Sequence, residues 1–222
     1  MNYPPGFDRA IVARSATGSL DRSFSLPIEL SGVTLTINGA ACGLRSVSRQ
    51  RIEFVVPPAI SSAVAGTSYS LVLNNNGVEL KTTVTIVPSR PDIFNVEGLI
   101  APGGRTKIFN VTNRVFTSEP FTVTTIRRRP FGRTPTILRL YLTGVASSSI
   151  ANTSIRIGPF GTLATGILSA PKLVAPGVYT VDFGLAGGMN GAGDQPIIIS
   201  VFLDGAIFSS RLDDTATRFR IL

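Results

Sequence analysis

Apolar and polar residues alternate along most of this chain with a period of two. In residues 33–58, VTLTINGAACGLRSVSRQRIEFVVPP, the run Val33-Thr34-Leu35-Thr36-Ile37 places its apolar side chains on one face. A turn signal follows at Asn38-Gly39, a half-apolar segment reaches Val47, and Ile52-Glu53-Phe54-Val55-Val56 is closed by two prolines. This pattern predicts three short strands joined by tight turns, the repeating unit of an antiparallel sandwich.

The same period extends in both directions. Residues 1–7 are rich in proline and glycine and read as an extended arm. Residues 10–13 alternate weakly. Residues 23–30 alternate more clearly, with Phe24, Leu26, Ile28 and Leu30 on one side and Pro27 confining that strand to an edge or bulge. Residues 68–73 and 78–87 predict a hairpin around Asn74-Asn75-Asn76-Gly77, because Asn and Gly accept the positive φ of such turns. Pro88-Ser89-Arg90-Pro91 then interrupts the pattern as a short stiff junction, with Ile93 and Phe94 expected to pack between two domains.

Beyond the junction, strands are expected at 106–111, 121–126, 137–142, 154–157, 177–185, 196–203, 206–212 and 217–222, separated by Gly, Pro and Asn signals. Asp204-Gly205 marks the clearest hairpin. No run has a convincing helical period, so the chain reads as all-β. There is an internal echo: VTLTINGAACGL can be set beside TSIRIGPFGTLATGIL, and RIEFVVP beside YTVDFGL. Repeated architecture is the inference.

Composition narrows the class. With 222 residues, 43 % of them hydrophobic and 15 % charged, the chain has material for a core and is not a disordered polymer. The formal charge is +8, carried by 18 arginines and 3 lysines. Basic residues interleaved with aromatics on one element would point to nucleic acid. Here the arginines are spread over strands and loops, so nucleic acid is not an expected partner. No apolar run has the length of a membrane-spanning helix, and MNYPPGFDRA lacks the charged-then-apolar order of a signal peptide.

The candidate chemistry is sparse. The chain has no histidine, which removes Ser-His-Asp and Cys-His nucleophiles and the usual zinc sites. Cys42, the single cysteine, lies among small residues and reads as a buried small hydrophobe. The thirteen acids are scattered, and their one adjacent pair, Asp213-Asp214, suits a turn better than an acid/base couple. A calcium loop is conceivable at Asn190-Gly191-Ala192-Gly193-Asp194-Gln195, with Asp204, Asp213 and Asp214 approaching from other loops, but a plain turn is favoured. The glycosylation triplets at Asn110 and Asn152 are expected by chance. No catalytic residue, metal site or cofactor is predicted, and no enzyme is expected. One charge cluster stands out: Arg127, Arg128, Arg129 and Arg133 surround a Pro-Phe-Gly turn. Arginines on a hairpin tip can grip the carboxylates or sulfates of an acidic glycan, or simply guard an exposed edge against aggregation.

At TINGAACGL, RIEFVVP and the exit TIVPSRPDIF the chain resembles tandem immunoglobulin-like modules of the IPT/TIG type, and in particular a pair of modules at the C-terminal end of large secreted bacterial proteins. ILRLYLTGV, APGVYTVDFGL, GAGDQPIIISV and SRLDDTATRFRIL are similar to the second module of such pairs. The resemblance implies two tandem immunoglobulin-like β-sandwich domains, at 1–90 and 91–222, in an extracellular or cell-surface protein whose activity resides elsewhere in a longer parent. The expected function is therefore a non-catalytic structural or adhesive module. Its partners would be other domains of that parent; the alternatives are a self-assembling filament or surface-layer subunit that joins copies by strand addition, and a module that binds acidic glycans or a protein at the Arg127–Arg133 loop.

Overall fold

The computed structural model describes residues 11–12, 26–128, 131–145, 148–159 and 163–222. Contacts divide the chain into two units, Met1–Pro88 and Ser89–Leu222. Both are built from antiparallel sheets, and the described residues outside strands form turns, loops and short 3-10 segments.

The first unit contains β1 (Ile11–Val12), β2 (Glu29–Leu30), β3 (Val33–Ile37), β4 (Ala40–Ala41), β5 (Gly43–Val47), β6 (Ile52–Val55), β7 (Thr67–Asn75) and β8 (Val78–Ile86). One sheet has the order β2-β3-β7-β8, with β4 also on β3; the other has the order β1-β5-β6. The stretch expected to form three consecutive strands is thus four strands divided between two sheets. β3 turns back through Asn38-Gly39, both at positive φ (49° and 79°), to the two-residue β4, and the chain then crosses at Cys42 to β5. The crossing occurs because Val33, Leu35 and Ile37 on one sheet and Leu44 and Val47 on the other must share one interior. These five residues and Cys42 form a single buried cluster.

Two further expectations shift. Within residues 23–30, strand geometry among the described residues is confined to Glu29–Leu30, and 23–25 lie outside them. The asparagine run does not form a four-residue loop. Asn74 and Asn75 end β7, and the turn is Asn76-Gly77 alone, at φ 51° and 89°.

The second unit contains β9 (Asp92–Ile93), β10 (Ile108–Asn110), β11 (Thr124–Arg128), β12 (Phe131–Pro135), β13 (Ile137–Thr143), β14 (Thr153–Ile157), β15 (Leu163–Thr165), β16 (Lys172–Ala175), β17 (Val178–Gly184), β18 (Gly193–Leu203), β19 (Ala206–Ser209) and β20 (Arg218–Ile221). One sheet runs β10-β13-β17-β16 with β9 on β13, and the other runs β15-β14-β18-β19 with β20 on β18. Alternation decides what faces inward: Leu138, Leu140 and Leu142 of β13 meet Ile155 and Ile157 of β14 and Ile197, Ile199 and Val201 of β18 in one core. Ile93 belongs to this same core, which corrects its expected place between two domains. β19 and β20 pair with successive parts of β18, Ser200–Leu203 and Gly193–Pro196. The 3-10 turn Asp213–Thr215 lies in the stretch that interrupts them.

The echo between the units is half structural. The pairs β3–β4 and β14–β15 occupy matching places, each leading strand paired with the first strand of a later hairpin, β7–β8 or β18–β19. The second pair of segments does not match. β17 sits between β13 and β16, whereas β6 pairs with β5 at the end of its sheet.

Candidate functional site

Arg127, Arg128 and Arg133 of the arginine cluster lie on the strand pair β11–β12, a two-stranded ribbon separate from both main sheets of its unit. Its register sets Ile126 opposite Arg133, Arg127 opposite Gly132, and Arg128 opposite Phe131. Arg129 lies outside the described residues. Arg133 and Ile126 are exposed. The ribbon is anchored at its base by Thr136, whose side chain is fully buried. Thr136 Oγ1 is 2.8 Å from Thr125 Oγ1, and Asn110 Nδ2 donates to Thr125 Oγ1 at 2.9 Å. The backbone N–H of Thr136 donates to Val123 O and its own carbonyl accepts from Leu185 N–H, both at 2.9 Å. The structure therefore brings Arg127, Arg128 and Arg133 onto one ribbon by backbone register.

The glycine-rich segment 190–195 is divided between a turn and a strand. Gly193, Asp194 and Gln195 already belong to β18, paired with Ile221, Arg220 and Phe219. The Asp194 carboxylate is engaged by two guanidinium groups, Arg105 through Nη1 on Oδ1 and Arg218 through Nε on Oδ2 at 2.6 Å. Arg105 also makes a two-pronged contact with Glu119, with its Nε 2.7 Å from Oε1 and its second nitrogen on Oε2. Glu119 Oε2 then accepts the backbone N–H of Arg220 at 2.8 Å. Two acids and two arginines thus neutralise one another where β20 meets β18 and the 105–121 segment. Desolvation pushes the Asp194 carboxyl up, but hydrogen bonds and charge from Arg218 and Arg105 outweigh it, and the net displacement is below the usual carboxylate range. Asp204 sits in the β18–β19 turn at φ 50°. Among the described residues no three acidic, cysteine or histidine side chains gather where they could hold a metal.

Other charged pairs are structural by position. Arg139 and Asp182 face each other across β13 and β17 in a bidentate contact, Nε–Oδ1 and Nη2–Oδ2 both 2.8 Å. Arg51 pairs with Glu53 at 3.0 Å and Arg211 with Asp92 at 3.1 Å. Asn110 is buried and hydrogen-bonded through both ends of its amide, to Thr125 and to Thr112 N–H, so it is not presented as a modification acceptor.

Cys42 has no exposed surface, and its N–H donates to Leu35 O at 2.8 Å. Burial pushes its thiol pKa up, partly opposed by a backbone hydrogen bond at Ile37, so the group stays a thiol.

A groove of about 290 Å³ lies on the outer face of β14, β18 and β19, lined by Asn152, Ser154, Arg156, Ser200, Phe202 and Ile207 among others. The cross-strand pair Phe202–Ile207 is exposed, and the Ser200 and Ser209 hydroxyls are 2.8 Å apart. No nucleophile–base pair is present in it.

Sequence reading missed Arg105, Glu119 and Arg218 as a set, because they are joined only by folding. Comparison of the chain with protein-family models, with curated proteins and with solved structures finds no match.

Proposed function

We propose that this chain is a non-catalytic structural and adhesive module, two immunoglobulin-like sandwiches in tandem, working within a larger surface or secreted protein. The observation that carries this reading is the strand order of the second unit. Taken in chain order, β10, β13, β16 and β17 form a sheet β10-β13-β17-β16, and β14, β15, β18 and β19 form a sheet β19-β18-β14-β15. That is the A-B-E-D and G-F-C order of an immunoglobulin sandwich with an added C′ strand. The strand pair β11–β12 is then an insertion between A and B. In the first unit β8-β7-β3, with both β2 and β4 on the far side of β3, is similar to the G-F-C-C′ sheet, β4 taking the C′ place.

Such a fold serves reach and mechanical resistance, because pulling the ends must break strand pairs together. Single-molecule stretching of the whole chain tests it. Two separate unfolding events are expected, releasing about 300 Å and about 470 Å of chain for the two units. One merged event, or extension without resistance, would overturn the reading.

A second reading, self-assembly by strand addition, is favoured by one edge. β8 pairs with β7 alone among the described strands and keeps six exposed residues in a row. Asn38 N–H donates to Ser70 O, so alternate residues of β7 face β3 and the others, including Leu71 and Leu73, face β8. Glu79, Lys81, Thr83 and Thr85 of β8 are then left with outward backbone groups. In an antiparallel pair of two such edges centred on Leu80, Glu79 of each copy meets Lys81 of the other, so the edge is self-complementary in charge. The segment 1–7, the other element expected to assemble, lies outside the described residues.

A further inference from the structure

We infer that the outer face of the β10-β13-β17-β16 sheet is a binding surface for an acidic polysaccharide; the inference rests on the adhesive reading and gives it a ligand class. Ile108, Leu138, Leu140, Val181 and Phe183 point into the core, so the alternate residues of the same strands face outward. They fall in two rungs. One rung runs Lys107, Tyr141, Thr180, Lys172: Tyr141 N–H donates to Lys107 O, Tyr141 pairs with Thr180, and Thr180 pairs with Lys172; Thr180 itself is buried, so the rung is accessible at Lys107, Tyr141 and Lys172. The next runs Phe109, Arg139, Asp182.

Three aromatic rings meet at one end of this face. Phe116 stacks on Phe109 with ring centroids 4.6 Å apart, and Tyr141 meets Phe109 edge-on at 5.9 Å. Phe116 keeps 60 % of its surface exposed, so its ring is accessible from solvent. Lys107 Nζ lies 5.3 Å from the centre of the Tyr141 ring, and Lys172 is exposed; neither has a carboxylate partner among the described residues. Arg139 is neutralised by Asp182, so the net charge of the face comes from the two lysines. They stand three strand spacings apart, about 14 Å. The unit as a whole holds fourteen basic and eight acidic residues.

A flat aromatic ring offers dispersion and apolar contact to the C–H face of a sugar. Lysines meet carboxylates as point charges without demanding one orientation. An extended chain of sugars with regularly spaced uronate groups satisfies both features at once. Single-stranded nucleic acid, which also uses rings and cations, needs successive stacking platforms along a basic groove; this face presents one exposed ring.

The experiment is affinity electrophoresis of the full chain through gels containing polygalacturonate, neutral dextran or a poly-dT oligonucleotide. Wild type should be retarded by polygalacturonate and not by dextran or poly-dT. Phe116→Ala and the double variant Lys107→Gln/Lys172→Gln should each weaken apparent binding about fivefold or more. Replacing Arg127, Arg128, Arg129 and Arg133 by Ser should leave binding within twofold. Phe116→Tyr, which keeps the ring, should bind as wild type, and melting curves identify any variant that has unfolded. Absence of retardation, equal retardation by dextran, preference for poly-dT, or loss confined to the four-arginine variant would each overturn the inference. A chain that gives two mechanical unfolding events yet ignores polygalacturonate would lose this ligand and keep its structural role.

Discussion

Asp194 holds Arg218 at two points: its Oδ2 accepts from Nε at 2.6 Å and its backbone carbonyl accepts from Nη2 at 2.9 Å. The contact secures β20 against β18, and Arg105 on the other carboxylate oxygen extends it to Glu119. Asp194 and Arg218 are both more than a third exposed, so solvent screens the network and its worth is about 1 kcal/mol. The folded carboxyl titrates below its ordinary value of 3.8. Its contribution is therefore complete above the unfolded value and is lost as pH falls through the folded one. Asp194→Asn should lower the unfolding free energy by about 1 kcal/mol at pH 7. The difference from wild type should shrink below about pH 4, and high salt should reduce it at neutral pH. Denaturant titrations at several pH values measure this directly.

Cys42 should behave as a reporter of the first unit. The thiol is inaccessible and burial raises its pKa, so a thiol reagent should react in the native protein only through opening of the β3/β5 interface. Labelling should be slow in buffer and accelerate with denaturant in parallel with loss of the first unit's structure. Fast labelling of the native chain at neutral pH would show that the crossing between the two sheets is open. Cys42→Ser should cost about 1–3 kcal/mol by placing a hydroxyl there.

How far the chain could be read in advance follows from what each feature depends on. Asn38-Gly39 and Asp204-Gly205 were legible as turns because positive φ at both central positions is a local demand, and both pairs meet it. The strand 137–142 was legible because Leu138, Leu140 and Leu142 all face one core. β12 was not, because Gly132, Arg133 and Pro135 carry no apolar alternation, and β16 was not, because Lys172, Leu173 and Val174 are all exposed on an edge. The allocation of β3 and β5 to different sheets was hidden too: alternation fixes a strand's faces and is silent about its neighbours. The charged network was least legible of all, since Arg105 and Asp194 are 89 positions apart.

The edge of β8 allows a charge-swap experiment. Self-association measured by light scattering should fall when Lys81→Glu places like charges opposite each other across the two-fold pairing. It should fall equally for Glu79→Lys. The double variant E79K/K81E should associate as wild type does, and an equimolar mixture of the two single variants should form mixed pairs. A wild-type chain that stays monomeric at high concentration, or single variants that associate undiminished, would remove the strand-addition reading.

Gly144 is a position where the second unit should be sensitive to one added methyl group. Its φ is 72°, and a Cβ there would lie 1.9 Å from the carbonyl oxygen of Arg90 and 2.4 Å from its carbon. That backbone cannot retreat cheaply. Ser89 Oγ donates to Gly144 O at 2.7 Å, and Arg90 N–H donates to the same oxygen at 3.2 Å. Asp92 and Ile93 pair with Thr143 and Leu142 just beyond. Gly144→Ala combines a left-handed backbone that alanine disfavours with a collision against a fixed main chain, and should cost about 3 kcal/mol. Because the contact lies wholly within Ser89–Leu222, the loss should appear in that unit's unfolding transition, while labelling of Cys42, the probe of the other unit, should keep its wild-type denaturant dependence. A uniform loss across both transitions would mean that the two units unfold as one cooperative body.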